Sequence, residues 1–298
     1  MNYTKRVFNI LYGLALLLLL IVTICGLCSF NTTSAYEIVN QYGENIQIWG
    51  AGIYAHDSYF KAPIFIGSDF TILICVVPLL SVTFLGIKKV SSIEYDIRMF
   101  GILSLLLYYS ASQCFGVTYN SLHLVYIMLF SILFFCTGGI FIKLHTVSVQ
   151  KQEVCSFHFT KGMKIFLLTA GIALIVAWLP DIITSIIQGT SLELIEIYTT
   201  EITYVLDMGV ISPLIFLTYY LIKHRYFIGY ILLRMLFRVC IGVGIMLPIQ
   251  TFFQLAAGIS IPIPALITKV FIFILLAVFA VFFDYRLKHR TEYVEGLN

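Results

Sequence analysis

Charge is what this sequence lacks. Aspartate, glutamate, lysine and arginine together make up 11% of its 298 residues, against about 25% in an average soluble domain. Too few polar groups remain to cover a water-facing surface, so the chain is not a soluble globule. Basic clusters are missing as well: the net charge is +3 and its cations are dispersed, which argues against a nucleic-acid partner. Seven cysteines sit inside apolar runs without metal-ligand spacing or a disulfide-rich loop, so they read as small buried side chains. No Gly-rich phosphate loop, His-x-x-x-His pair, nucleophile elbow or calcium loop occurs. Catalytic residues and cofactors are therefore not assigned.

What the chain has in abundance is apolar length. Hydrophobic residues make up 60% and the mean hydropathy is +0.98. A spanning helix needs about 20 mostly apolar residues, and eight segments qualify: 7–29, 67–87, 99–118, 122–143, 164–187, 202–222, 228–252 and 264–283. The expected fold class is all-α, a polytopic transmembrane bundle forming one integral membrane domain over 1–298. The first segment follows Lys5 and Arg6 in the manner of a signal peptide. Its apolar run is too long for an h-region and no Ala-x-Ala site follows, so it reads as an uncleaved helix.

Basic residues set the expected orientation. With the N-terminus in the cytoplasm, Lys88, Lys89, Arg98, Lys143, Lys151, Lys161, Lys164, Lys223, Arg225, Arg286, Lys288 and Arg290 all fall on the inner side. Outer loops keep a single basic residue, Lys61, among the acids Glu37, Glu44, Asp57, Glu193, Glu196 and Glu201. That asymmetry predicts a multi-pass protein of the cell membrane with both termini cytoplasmic. The long outer loop at 31–66 carries Tyr36, Tyr42, Trp49, Tyr54, Tyr59 and Phe60, and is expected to cap the bundle or lie in the lipid interface.

Ionisable groups inside spans are costly and mark candidate sites. The run Thr199–Pro213 places Asp207 about two turns into an apolar segment, with Thr200 and Thr203 spaced to share its helix face. Pro213 then interrupts the hydrogen-bond ladder. Asp69 opens the second segment, and Asp181 follows Trp178 and Pro180 near the outer end of the fifth. Lys269 lies about 7 Å into the eighth at 1.5 Å per residue, a depth similar to that of Asp207, so the two can pair. Arg238, four residues after Arg234, lies about 16 Å from the inner face and competes for the same acid. Alternatively these acids cap helices, pair, or snorkel to water, which fits Asp69 near a helix N-terminus.

Weaker patterns carry bland readings. Cys25-Gly26-Leu27-Cys28 lacks a second paired motif, so thiol redox chemistry is disfavoured; the order His56-Asp57-Ser58 suggests a triad, but neighbours in an extended loop diverge. His123 reads as an interfacial residue.

The run Phe115-Gly116-Val117-Thr118-Tyr119-Asn120-Ser121-Leu122-His123-Leu124-Val125-Tyr126 resembles a signature of uncharacterised bacterial multi-helix membrane proteins. Gly52-Ile53-Tyr54, Trp178-Leu179-Pro180-Asp181 and Tyr204-Val205-Leu206-Asp207 continue it. The resemblance implies about eight helices and no assigned activity. Combined with topology, it places Asp57, Asp69, Asn120, Trp178, Asp181, Thr200 and Asp207 in outer loops or outer helix halves. The expectation is an outward-facing polar cavity that binds or moves a small cation, proton or polar ligand. An enzyme acting on a lipid-linked substrate and a non-catalytic sensor or assembly factor are the alternatives.

Overall fold

A computed structural model describes residues 2–86, 92–150, 159–192 and 194–295, without the side chains of 2–5, 92, 264, 265, 268, 269 and 288–295. Lys88, Lys89, Lys151 and Glu193 of the charge argument lie outside the described residues, as do the side chains of Lys5, Lys269, Lys288 and Arg290.

Long helices form where the apolar runs are. They are α1 (Asn2–Leu27), α2 (Ala62–Leu85), α3 (Ser92–Gly116), α4 (His123–Gln150), α5 (Lys161–Gln188), α6 (Ile202–Lys223) and α7 (Phe227–Ala256). The last, α8, joins Ile263–Leu266, Ile267–Phe271 and Ile272–Glu295. Seven of them, α1 to α7, are long and apolar enough to cross a membrane. The chain is thus an all-α, multi-pass membrane protein.

Helices α2 and α3 start at Ala62 and Ser92, ahead of the segments expected from hydropathy. Pro63, which needs no N–H partner at a helix start, opens α2 after Lys61. Asp69 therefore lies inside the helix rather than at its N-terminus, which corrects the helix-cap expectation. Likewise α3 begins before Glu94 and Asp96. Three π-helical turns interrupt the bundle, at Ile72–Val76, Asp207–Ile211 and Ile267–Phe271. Two of them end just ahead of Pro78 and Pro213, each of which leaves the carbonyl four residues earlier without its usual donor. The wider turn accommodates that gap.

In α3 and α7, 72% and 61% of the most apolar stretch is buried, against 28% in α5 and α6, so the first pair forms the centre and the second the rim. Close approach substitutes for a hydrophobic driving force inside lipid. A Cβ on Gly67 of α2 would stand 2.6 Å from the Gln250 backbone of α7, and one on Gly244 would stand 2.2 Å from the Ala277 side chain of α8.

The loop after α1 folds as a cap. Strands β1 (Tyr36–Val39) and β2 (Asn45–Ile48) pair antiparallel, with Tyr36 opposite Ile48 and Val39 opposite Asn45. The Asn40 side chain closes their turn by accepting from the Tyr42 and Glu44 N–H groups, both at 2.9 Å. Trp49 is fully buried and donates to the Ser29 carbonyl at 2.7 Å. It packs with Tyr54, Ala62, Ile66 and Ala257 over the ends of α1, α2 and α7. The hairpin itself is absent from the helix-only expectation.

Candidate functional site

Polar side chains gather at the capped end of the bundle in three groups, of which the first and third meet at Glu201. The first is built around α6. Asp207 opens the π-turn and is buried; its Oδ1 accepts from the Tyr108 hydroxyl of α3 and its Oδ2 from the Trp178 indole of α5, both at 2.9 Å. The Trp178 ring stacks on Tyr204, with centroids 4.7 Å apart. Tyr204 donates to Asp181 Oδ2 at 2.8 Å. One continuous path thus runs Asp207, Trp178, Tyr204, Asp181. The Asp207 N–H bonds back to the Thr203 carbonyl.

A cleft of about 810 Å³ opens beside this path, lined in part by Tyr42 of the cap, Ile182, Thr200, Glu201, Tyr204 and Met208. Thr200 precedes the first turn of α6, so it does not share a helix face with Asp207; it reaches the cleft from the loop instead.

The second group surrounds Asp69, which is fully buried between α2, α3 and the cap. Its Oδ2 accepts from Tyr54 at 2.6 Å, and its Oδ1 from Tyr109 at 2.5 Å and Gln113 at 3.3 Å. Gly26 of α1 leaves the necessary space: a Cβ there would stand 1.6 Å from Asp69 Oδ2. Asp69 and Asp207 share no hydrogen-bond partner, so the three membrane acids do not form one site. Asp207 and Asp181 are joined; Asp69 stands apart.

The third group lies above the membrane-spanning helices. Asp57 is buried, and its Oδ1 accepts from the Thr118 N–H and the Tyr198 hydroxyl, both at 2.9 Å. Burial pushes this carboxyl up to about 7, against the pull of Thr118, Tyr198 and Lys61. Its Oδ2 has no hydrogen-bond partner. Around it the cap clasps the segment before α6: Ser58 donates to Glu196, Lys61 pairs with Glu201, and Asn40 donates to the Glu196 carbonyl at 2.8 Å. Burial also raises Glu196. Since Asp57 faces Thr118 and Tyr198 while Ser58 faces Glu196, the His56-Asp57-Ser58 order makes no relay. Asn120 is a turn residue; its Oδ1 accepts from the Leu122 N–H at 2.8 Å and its amide donates to the Thr118 carbonyl.

The pairing expected between Arg238 and Asp207 is corrected. Arg238 donates to the Ile97 carbonyl at 2.5 Å and lies 3.4 Å from Glu94 and 3.8 Å from Asp284. Arg234 grips the same acids, Glu94 through both terminal nitrogens at 2.5 and 3.0 Å and Asp284 at 2.7 Å. Tyr108, the Asp207 partner, lies almost four turns further along α3 than Glu94, about 21 Å at 1.5 Å per residue. Apolar length hid Glu94 from the sequence reading, because α3 starts ahead of its hydrophobic run. The Lys269 partnership with Asp207 lies outside the described residues.

Among the described residues, no group of three His, Cys, Asp or Glu is arranged to hold a metal ion. Cys25 and Cys28 are free thiols near the end of α1. Sequence reasoning also passed over Tyr108, Tyr109 and Gln113, whose only signal is polarity at helical spacing within an apolar run. No protein-family model, curated protein or solved structure matches this chain. The bacterial resemblance therefore gains no support from comparison, and function has to be argued from the site.

Proposed function

We propose that the protein binds, and moves into or across the cell membrane, a small cationic or polar ligand that enters from the capped end. In this reading all eight long helices span the bilayer, both termini are cytoplasmic, and the cap faces outwards. The basic residues of the loops support that orientation.

The observation that carries the reading is the cleft between α5 and α6, with two carboxylates joined beneath it. Asp181 and Asp207 are held by neutral donors, Tyr204 and by Tyr108 and Trp178 respectively. At Asp207 these neutral hydrogen bonds orient a carboxylate without supplying a counter-charge, and such a group inside a span favours a cation or a proton. The volume of about 810 Å³ falls in the range of small-ligand pockets. Asp69, Asn120 and Asp57 serve the scaffold and the cap in this reading.

The test is a ligand panel against the purified protein in lipid nanodiscs, read by melting temperature and by calorimetry. It should include metal cations, amines and neutral polyols. At least one cationic or polar compound is expected to stabilise the protein, with binding lost at least tenfold in Asp207→Asn. Failure of the whole panel, or unchanged binding by a folded Asp207→Asn protein, rejects the proposal.

A further inference from the structure

One wall of the cleft is not helix. Ile195, Thr199, Thr200 and Glu201 come from the irregular segment 194–201 that leads into α6, and Tyr42 of the cap lines the same space. The cap holds this segment along its length. Asn40 donates to the Glu196 carbonyl at 2.8 Å, Gln41 to the Tyr198 carbonyl at 3.4 Å and the Ser58 N–H to the Tyr198 hydroxyl at 3.2 Å, while Lys61 pairs with Glu201. Glu196 has a φ of 51°. That is the left-handed region, which a residue with a Cβ rarely adopts and which persists where its surroundings impose it. The segment keeps its shape through the clasp.

At the centre of the clasp is a carboxyl that the folded protein does not fully satisfy. Asp57 is fully buried; its Oδ1 accepts two hydrogen bonds and its Oδ2 none. The hydroxyl of Thr118, whose N–H bonds to that Oδ1, is also buried without a partner. A buried oxygen that carries charge and lacks a donor is costly. A proton on the carboxyl removes the charge and turns Oδ2 from an unmet acceptor into a donor, with the Thr118 hydroxyl beside it as an open acceptor. The rise of this carboxyl to about 7 on burial agrees with the geometry. The ionisable groups facing Asp57 are Lys61 just before α2, Tyr198 of the segment and Tyr126 of α4; Glu196 faces Lys61 and Glu201. Lys61 favours the charged form, so one cation opposes the dry surroundings.

We propose that Asp57 is a proton-binding site that latches segment 194–201 as a lid on the cleft, closed while the carboxyl is protonated and released when it is charged. The latch rests on the function proposed above, since it admits or excludes that ligand. On losing its proton, Asp57 becomes a dry carboxylate with one bare oxygen, and it regains water by lifting the cap away from Tyr198. The bonds from Ser58 and Asn40 to Glu196 lie in the same clasp and break with it. Tyr42 and the lid then part, which widens the mouth of the cleft they both line.

The experiment is hydrogen exchange on the full chain in lipid nanodiscs from about pH 4 to 8, expressed as protection factors. In the wild-type protein the amides of 194–201 should lose protection about tenfold or more as pH rises, in step with residues 36–58, while α3 and α7 stay unchanged. Asp57→Asn places a neutral amide donor where the protonated oxygen stood, and should keep the lid protected throughout. His56→Gln removes the neighbouring histidine, which bonds Tyr36 at 3.5 Å, and should leave the profile in place. Lid protection that does not change with pH in the wild-type protein overturns the inference without any variant having to fold. A response that persists in folded Asp57→Asn, or vanishes in folded His56→Gln, overturns it as well. The readout needs no ligand, so the two proposals fail separately. A flat lid profile with a panel compound still bound through Asp207 removes the latch and keeps the function; a titrating lid with no compound bound keeps the latch and removes the function.

Discussion

Tyr108 and Tyr109, adjacent on α3, each donate to a different buried carboxylate: Tyr108 to Asp207 at 2.9 Å and Tyr109 to Asp69 at 2.5 Å. Successive residues on a helix point about 100° apart, given 3.6 residues per turn. The pair therefore splits the two acids onto separate flanks of one central helix. One flank meets α5 and α6 and the cleft; the other meets α2 and the cap. Their substitutions should have different consequences. Tyr109→Phe leaves Asp69 Oδ1 with only Gln113 and should cost about 1–3 kcal/mol of stability, read as a lower melting temperature. Tyr108→Phe should act mainly on ligand binding at the cleft. Equal effects of the two on both readouts would contradict this division.

The Asp69 pocket depends on a missing side chain. Gly26→Ala drives a methyl group into the carboxylate, at 1.6 Å before relaxation. Overpacking of a tight core costs about 1–3 kcal/mol, and displacing Asp69 from its donors adds to that. Gly13→Ala, on the same helix with nothing within 4 Å of the new Cβ, is the control and should be neutral or mildly stabilising. Comparable melting temperatures for the two variants would show that α1 does not pack on Asp69 as described.

Cap docking should depend on pH. The Asp57 carboxyl is raised from 3.8 to about 7 by burial, so the folded cap favours its protonated form. Its contribution is fully present below about pH 4 and is lost as pH rises through about 7. Glu196, also raised by burial, acts in the same direction. Lys61 faces both carboxylates and pulls the other way, as does the Tyr198 hydroxyl at Asp57. Hydrogen-exchange protection factors across residues 36–58, in which the base-catalysed intrinsic rate is divided out, should therefore fall between about pH 4 and 7, and Asp57→Asn should flatten the profile. A slope that survives Asp57→Asn assigns the dependence to Glu196 instead.

The helices were legible because each apolar run exceeds the span length, and all eight expected segments fall within or nearly within long helices. Boundaries failed where polar residues join a helix. Glu94 and Asp96 look like loop residues by hydropathy, yet they lie in the first turns of α3 with charged partners, and Asp69, expected to open its helix, lies inside it because the helix starts earlier, around Pro63. The hairpin was hidden by its shortness and by Asn40, whose turn-closing role needs coordinates. Asp207, Trp178, Asp181 and Thr200 stood out in sequence because a polar group within a span is rare. Their grouping did not, since it turns on which flank of α3 each tyrosine faces. Arg238 was misassigned because depth alone ranks partners poorly when a helix start is misplaced.

The last prediction concerns the end opposite the cap, where Arg234 is 1% exposed and Arg238 largely buried, between Glu94 and Asp284. Among the described residues Arg234 and Arg238 face Glu94 and Asp284, so the cluster joins α3, α7 and α8 through opposite charges. Removing one member leaves a buried charge uncompensated, a loss of about 3–5 kcal/mol. Arg234→Ala should therefore be among the most destabilising substitutions in the chain. Arg234→Lys should recover part of that loss only, because an ammonium cannot hold Glu94 through two nitrogens while reaching Asp284. The decisive measurement is a double-mutant cycle of Arg234→Ala with Glu94→Ala. Both singles should destabilise strongly, and the double should recover much of the cost because no orphaned charge remains at that contact. Simple additivity would mean that the two side chains act independently, and the cluster would then be a set of neighbours rather than a lock on three helices.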